Sequence, residues 1–215
     1  RQMCIRDSLT VKPVKRSPAP PFTTSTLQQE AGRKLGFSVN QTMRIAQKLY
    51  EDGQITYMRT DSTNLSALAI KDIAASIESA YGADFVKERH YHTNSKGAQE
   101  AHEAIRPTYV SNTSISGTLQ EQKLYQLIWK RAVASQMADA VLEKTNVEIE
   151  VSGEQHVFKA EGEVVKFPGF MKVYSAGNEL LTDSGNEVAG NSGLLPKITA
   201  VSYTHLRAHE TSQDL

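Results

Sequence analysis

Apolar and polar positions along this chain follow two different periods, and the point where the period changes divides it. In several stretches between residues 24 and 137 apolar side chains recur every three or four positions, as one face of a helix requires. "TSTLQQEAGRKLGF" opens with possible capping boxes, Ser25 with Gln28 or Thr26 with Gln29, and stops at Gly36. "SVNQTMRIAQKLYEDG" repeats the grammar: Ser38 with Gln41, then Met43, Ala46, Leu49 and Tyr50, then Gly53. Two capped helices separated by "GFS" form a candidate helix-turn-helix. Further on, 65–82 carries Ile70, Ile73, Ala74, Ile77 and Tyr81 on one stripe. Residues 119–137 carry Leu124, Leu127, Ile128 and Ala132, flanked by Trp129, as a core-packing face. "KGAQEAHEAIRP" (96–107) predicts a loop and a short helix stopped by Pro107.

Near residue 143 the period falls to two. "NVEIEV", "HVFKAEGEVV" and "FMKVY" alternate singly and are joined by "SGEQ" and "FPGF", which predicts antiparallel β-structure. "LTV" (9–11) is short enough to be one more strand of that sheet, which would insert the helical region between two passes of a β-domain. "KRSPAPPF" (15–22) is expected as an extended connector, and the Gly/Asn/Ser-rich 175–193 as a loop. "QITYMR" (54–59) alternates within the helical region and predicts an isolated short strand. The ends, 1–8 and 201–215, show no sustained period; they resemble translated sequencing-adapter DNA and are expected to be non-native tails, leaving Cys4, His205 and His209 without a role.

Composition adds limits. There is no apolar run near the ~20 residues a membrane span needs, and a single cysteine allows neither a disulfide framework nor a multi-cysteine zinc site. A reducing, cytoplasmic setting is the expectation. The 24 basic and 24 acidic residues cancel, which by itself argues against a nucleic-acid binder. Distribution changes the picture: from Lys12 to Arg59 there are eight basic and three acidic residues, a net of five positive charges leading into "TYMRTDS". A solvated charged surface would give the same count. "RHYH" (89–92) offers His90 and His92 but no third ligand.

The candidate chemistry lies at Tyr57 and Arg59. On a strand, residues i and i+2 share a face, so the phenol and the guanidinium would project together while Met58 turns inward. A nearby cation eases formation of a phenolate, and a guanidinium can hold a phosphate bidentately and stabilise charge as it develops. A phenolate attacking phosphorus forms an aryl phosphodiester whose phenolate can leave again, so a broken backbone is stored covalently and resealed without ATP. On residue type alone Tyr57 could equally be a packed strand aromatic.

"SPAPPFTTSTLQQEAGRKLGFSVNQTMRIAQKLYEDGQITYMRTDSTNLS", with "AQEAHEAIRPT" and "KLYQLIWKRAVASQM", closely resembles the type IA DNA topoisomerases, over roughly residues 9–200. "YMRTDS" is similar to the topoisomerase I branch; the topoisomerase III branch usually has proline where Met58 stands. The resemblance implies an α+β, multi-domain fold: a mainly helical tyrosine-bearing domain (17–143) inserted between passes of an antiparallel β arch (9–16 and 144–200). It implies that Tyr57 attacks single-stranded DNA to give a 5′-phosphotyrosyl link, so that the intact strand passes through and negative supercoils relax without ATP. Arg59 then positions the scissile phosphate, Thr60 and Asp61 belong to the same motif, and His102 assists DNA binding and hydrogen-bonds Asp61. Gln47, Glu51 and Thr56 line the region, and Arg44 and Lys48 are added as DNA contacts. The implied Mg2+ belongs to a toprim domain with an Asp-x-Asp-x-Glu cluster, a pattern this sequence lacks, so the chain is expected to be inactive alone. The implied partner is single-stranded or negatively supercoiled DNA, and the implied state a nucleoid-associated monomer in the cytoplasm. A non-catalytic helix-turn-helix module, with Tyr57 only packed, is the alternative.

Overall fold

A computed structural model of the 215-residue chain describes residues 5–91, 102–151 and 157–174. The chain divides into two compact units, one of residues 1–14, 143–164 and 191–215, the other of 15–142 and 165–190. Among the described residues are three strands, β1 (Ile5–Arg16), β2 (Ala140–Val151) and β3 (Val157–Phe167). They form one antiparallel sheet in the order β1-β2-β3. β1 is longer than "LTV" and takes in Ile5–Ser8, which the pattern had assigned to a tail without structure. Opposite charges face each other on β2 and β3, Lys144 with Glu161 at 2.7 Å and Glu148 with Lys159 at 2.8 Å. The predicted "SGEQ" turn, the 175–193 loop and the tail at 201–215 lie outside the described residues.

Among the described residues the second unit holds four α-helices: α1 (Thr24–Leu35), α2 (Val39–Glu51), α3 (Ala67–Tyr81) and α4 (Leu119–Ser135). Each begins on a hydroxyl cap, and Gly36 ends α1 in the left-handed region at φ 70°. The expected stripes are the buried ones: Ile70, Ile73, Ala74 and Ile77 on α3, Leu124, Leu127, Ile128 and Ala132 on α4. α4 is the post against which α1, α2 and α3 pack.

Four further features depart from the sequence pattern. The cap of α1 is Thr23, whose box closes on Thr26. Residues 54–59 make no strand; a lone bridge joins Ile55 to Pro107. Residues 102–107 are extended, with Ile105 bridged to Phe22, so the short helix before Pro107 is absent from its described part; 96–101 lie outside the described residues. "FMKVY" runs into a 3-10 turn, Gly169–Lys172, because Gly169 passes so close to Ala138 that the Phe170 amide donates to the Ala138 carbonyl at 2.9 Å.

The proline-rich segment is fastened within the second unit. Arg131 on α4 donates through Nε to the Pro20 carbonyl at 2.8 Å, and its guanidinium lies 4.8 Å from the ring centre of the fully buried Phe22. The positions of α1 and of residues 102–107 follow from this, since Phe22 stands one residue before the α1 cap and accepts the Ile105 amide at 2.8 Å.

Candidate active site

Tyr57 sits on a coil held at both ends by threonines. Upstream, Thr56 donates its amide to the Arg106 carbonyl at 2.9 Å and its hydroxyl to the Ala104 carbonyl at 2.8 Å, while accepting the Arg106 amide at 3.0 Å. Downstream, Thr24, the first residue of α1, donates its hydroxyl to the Met58 carbonyl at 2.8 Å and accepts the Thr60 amide at 2.9 Å. The Thr24 amide in turn donates to the Thr60 carbonyl at 2.8 Å. Met58 is 1% exposed and fills the core beneath, a burial worth on the order of 1.5–3 kcal/mol.

The result is alternation without a ladder. Tyr57, Arg59 and Asp61 are exposed while Met58, Thr60 and Ser62 are buried, so the face-sharing predicted from a strand holds although the strand does not exist. The backbone groups that a neighbouring strand would satisfy are instead taken by threonine hydroxyls and by residues 104–107.

Tyr57, Arg59, Thr60, Asp61 and His102 line one open cleft of about 740 Å3, together with Thr24, Ser25 and Gln28 from the start of α1. Tyr57 is 38% exposed, with the His102 ring at 5.8 Å and the Tyr50 ring edge-on at 5.3 Å from its own ring. The hydrogen bond from His102 to Asp61 that the resemblance implies is not among the described contacts; the imidazole stands against the phenol. Thr60 contributes less freely than its neighbours, because its hydroxyl accepts the Ser62 amide at 3.0 Å.

Five residues named from the sequence stand outside the lining of the cleft. Gln47 donates to Glu51 at 2.7 Å along α2, and Lys48 pairs with Asp52 at 2.7 Å. Arg44 is exposed on the same helix, and the Thr56 hydroxyl is spent on backbone. Conversely, Ser25 and Gln28, which the pattern offered as a capping box, face the cleft because Thr23 does the capping. Four successive hydroxyls in "TTST" left the cap ambiguous; the long-range bonds of Thr24 decide it.

The "EAIRP" segment positions the site without entering it. The Glu103 carboxylate accepts the Ser66 amide at 2.7 Å and Arg106 Nε and Nη2 at 3.0 and 2.7 Å. Burial opposes its ionisation, but the hydrogen bond at Ser66 and the Arg106 charge hold it below the usual carboxylate range. This ties residues 103–106 to the start of α3 and steadies the chain next to His102. Among the described residues no three of His, Cys, Asp and Glu converge as a metal site would need. The Asp-x-Asp-x-Glu cluster that the implied Mg2+ would need does not occur in this sequence.

Fold and site together define an α+β protein that presents an accessible phenol, a guanidinium and an imidazole in one cleft on the helical unit. A sequence model of the DNA topoisomerase family matches residues 4–213, and the chain belongs to that family, to its type IA, topoisomerase I branch. It is 48% identical over 188 residues to DNA topoisomerase 1 of Zymomonas mobilis, covering 86% of this chain and 15% of the relative. It is 50% identical over 186 residues to DNA topoisomerase 1 of Xylella fastidiosa, covering 80% and 23%. The solved structure of full-length topoisomerase I from Thermotoga maritima is similar at a TM-score of 0.69 and 38% identity, over 81% of this chain and 30% of that one. The chain thus spans 15–24% of the length of the curated relatives it matches. Among the described residues no helix is long and apolar enough to cross a membrane.

Proposed function

We propose that this chain carries the strand-cutting tyrosine of a topoisomerase I. The Tyr57 oxygen attacks a backbone phosphorus of single-stranded DNA. The P–O3′ bond breaks, the phenol gives up its proton and the departing 3′-oxygen gains one, leaving a 5′-phosphotyrosine and a free 3′-hydroxyl. Return attack by that hydroxyl restores the backbone without ATP. Within the longer enzyme, passage of the intact strand between the two events relaxes negative supercoils. In this reading the helical unit carries the nucleophile and the sheet belongs to the arch that parts to admit the strand. The Mg2+ requirement is met by the acidic cluster of a toprim domain, a pattern this sequence does not contain, and the enzyme acts as a monomer on the nucleoid.

The observation that carries the reading is the shared outward face of Tyr57 and Arg59 over an open cleft, with the apolar Met58 between them buried. A packed, structural tyrosine would be expected on the Met58 side. Arg59 supplies positive charge where the phosphate must sit.

The test uses a chimera of the Zymomonas mobilis enzyme in which this chain replaces the matching segment. With an end-labelled single-stranded oligonucleotide, a covalent protein–DNA adduct is expected and should vanish in Tyr57→Phe while oligonucleotide binding persists. An adduct that survives Tyr57→Phe overturns the reading, and binding without any adduct in the unsubstituted chimera favours a module that only binds DNA.

A further inference from the structure

We infer that Thr24 is a positioning residue for Arg59, an inference that rests on the reading above. One hydroxyl spans Arg59: it donates to the Met58 carbonyl at 2.8 Å on one side and accepts the Thr60 amide at 2.9 Å on the other. Those two groups belong to the peptide planes that flank the Arg59 α-carbon. Fixing both planes fixes φ and ψ of Arg59, and with them the direction of its Cα–Cβ bond. The Thr24 amide, donating to the Thr60 carbonyl at 2.8 Å, secures the next plane as well.

Nothing else described on that stretch does this work. The bridge at Ile55 and the bonds of Thr56 lie upstream of Tyr57, and the Thr60 hydroxyl is turned onward to the Ser62 amide. A guanidinium ends a long, flexible side chain, so its hold on a phosphate depends on a fixed root. Thr24 is itself rooted: it is the first residue of α1, directly after the Thr23 cap and two residues after the buried Phe22. It also lines the cleft, so the clamp and the clamped residue face the same space.

The test compares Thr24→Ser with Thr24→Ala in the same chimera, scored by the single-turnover rate of adduct formation. Both variants lose the γ-methyl, so their ratio isolates the hydroxyl. Ser is expected to keep at least about a third of the rate and Ala to lose about tenfold or more. Combined with Arg59→Ala, Thr24→Ala should cost little further, because Thr24 acts through Arg59. Equal rates for Ser and Ala, or losses that multiply in the double variant, overturn the inference. If Thr24→Ala does not fold, Thr24→Val, which keeps the volume and drops the hydroxyl, replaces it under the same criteria. Tyr57→Phe separates the two claims: an adduct abolished by Tyr57→Phe but indifferent to the Thr24 hydroxyl sinks only the role of Thr24, whereas an adduct that Tyr57→Phe leaves intact sinks the underlying reading.

Discussion

The ring of His102 lies 5.8 Å from that of Tyr57, tilted by 40°, although the two residues are far apart in sequence. The contact exists because Thr56 pairs with residues 104 and 106, which draws the start of "HEAIRP" alongside the tyrosine. His102→Ala in the chimera is therefore expected to slow adduct formation by about three- to tenfold, the value of one weak positioning contact. Unaltered kinetics would show that the stacking is incidental.

Arg59→Ala should lower the cleavage rate by at least ~10², the usual loss when one donor to developing charge is removed. Arg59→Lys should recover only part of it, because an ammonium cannot form the planar fork. Single-turnover cleavage of the labelled oligonucleotide reads both variants, and a near-normal rate in Arg59→Ala would misassign the residue.

Asp139 predicts a pH dependence remote from the cleft. Partial burial opposes its charge, but Lys87 at 2.5 Å, Ser17 and Arg89 at 2.7 Å outweigh that and hold its carboxyl at about 2. A carboxyl lowered on folding contributes stability that is complete above its ordinary value near 3.8 and is lost as pH falls through about 2. Asp139→Asn should thus lower the melting temperature at pH 7, by a stability loss on the order of 1–2 kcal/mol. The difference should shrink between pH 4 and pH 2; a gap that stays constant over that range would contradict the assignment.

Gly169→Ala should destabilise the chain by on the order of 1–3 kcal/mol. The position has φ +49°, and an added Cβ would stand 2.5 Å from the Ala138 and Asp139 carbonyl oxygens. Thermal or urea unfolding checks this, and an unchanged midpoint would mean the turn relaxes freely.

Helical grammar was enough to find all four described helices, because each buries one stripe against the others, although only the start of α2 was read at its true cap, Ser38. Period two at 54–59 was legible as inside–outside order and misleading as to ladder, since alternation reports burial and says nothing of what the backbone bonds to. Tyr57 and Arg59 could be picked out by chemistry and proximity in sequence. Thr24, Ser25 and Gln28 could not, because Thr24 is tied to the site by hydrogen bonds spanning 34 and 36 residues, which leave no local trace, and those bonds bring Ser25 and Gln28 to the cleft with it. "FMKVY" failed for a related reason: its turn answers to Ala138 and Asp139, in the link between α4 and β2.

The threonine clamps set a lower limit on how small a working mimic of this site could be. A synthetic peptide copying residues 52–62 would contain the phenol and the guanidinium and still lack the hydroxyl of Thr24 and the carbonyls of Ala104 and Arg106 that keep them on one side. Any miniature that aims to present both groups to a phosphate has to import those holds from elsewhere in the chain or replace them with a covalent constraint.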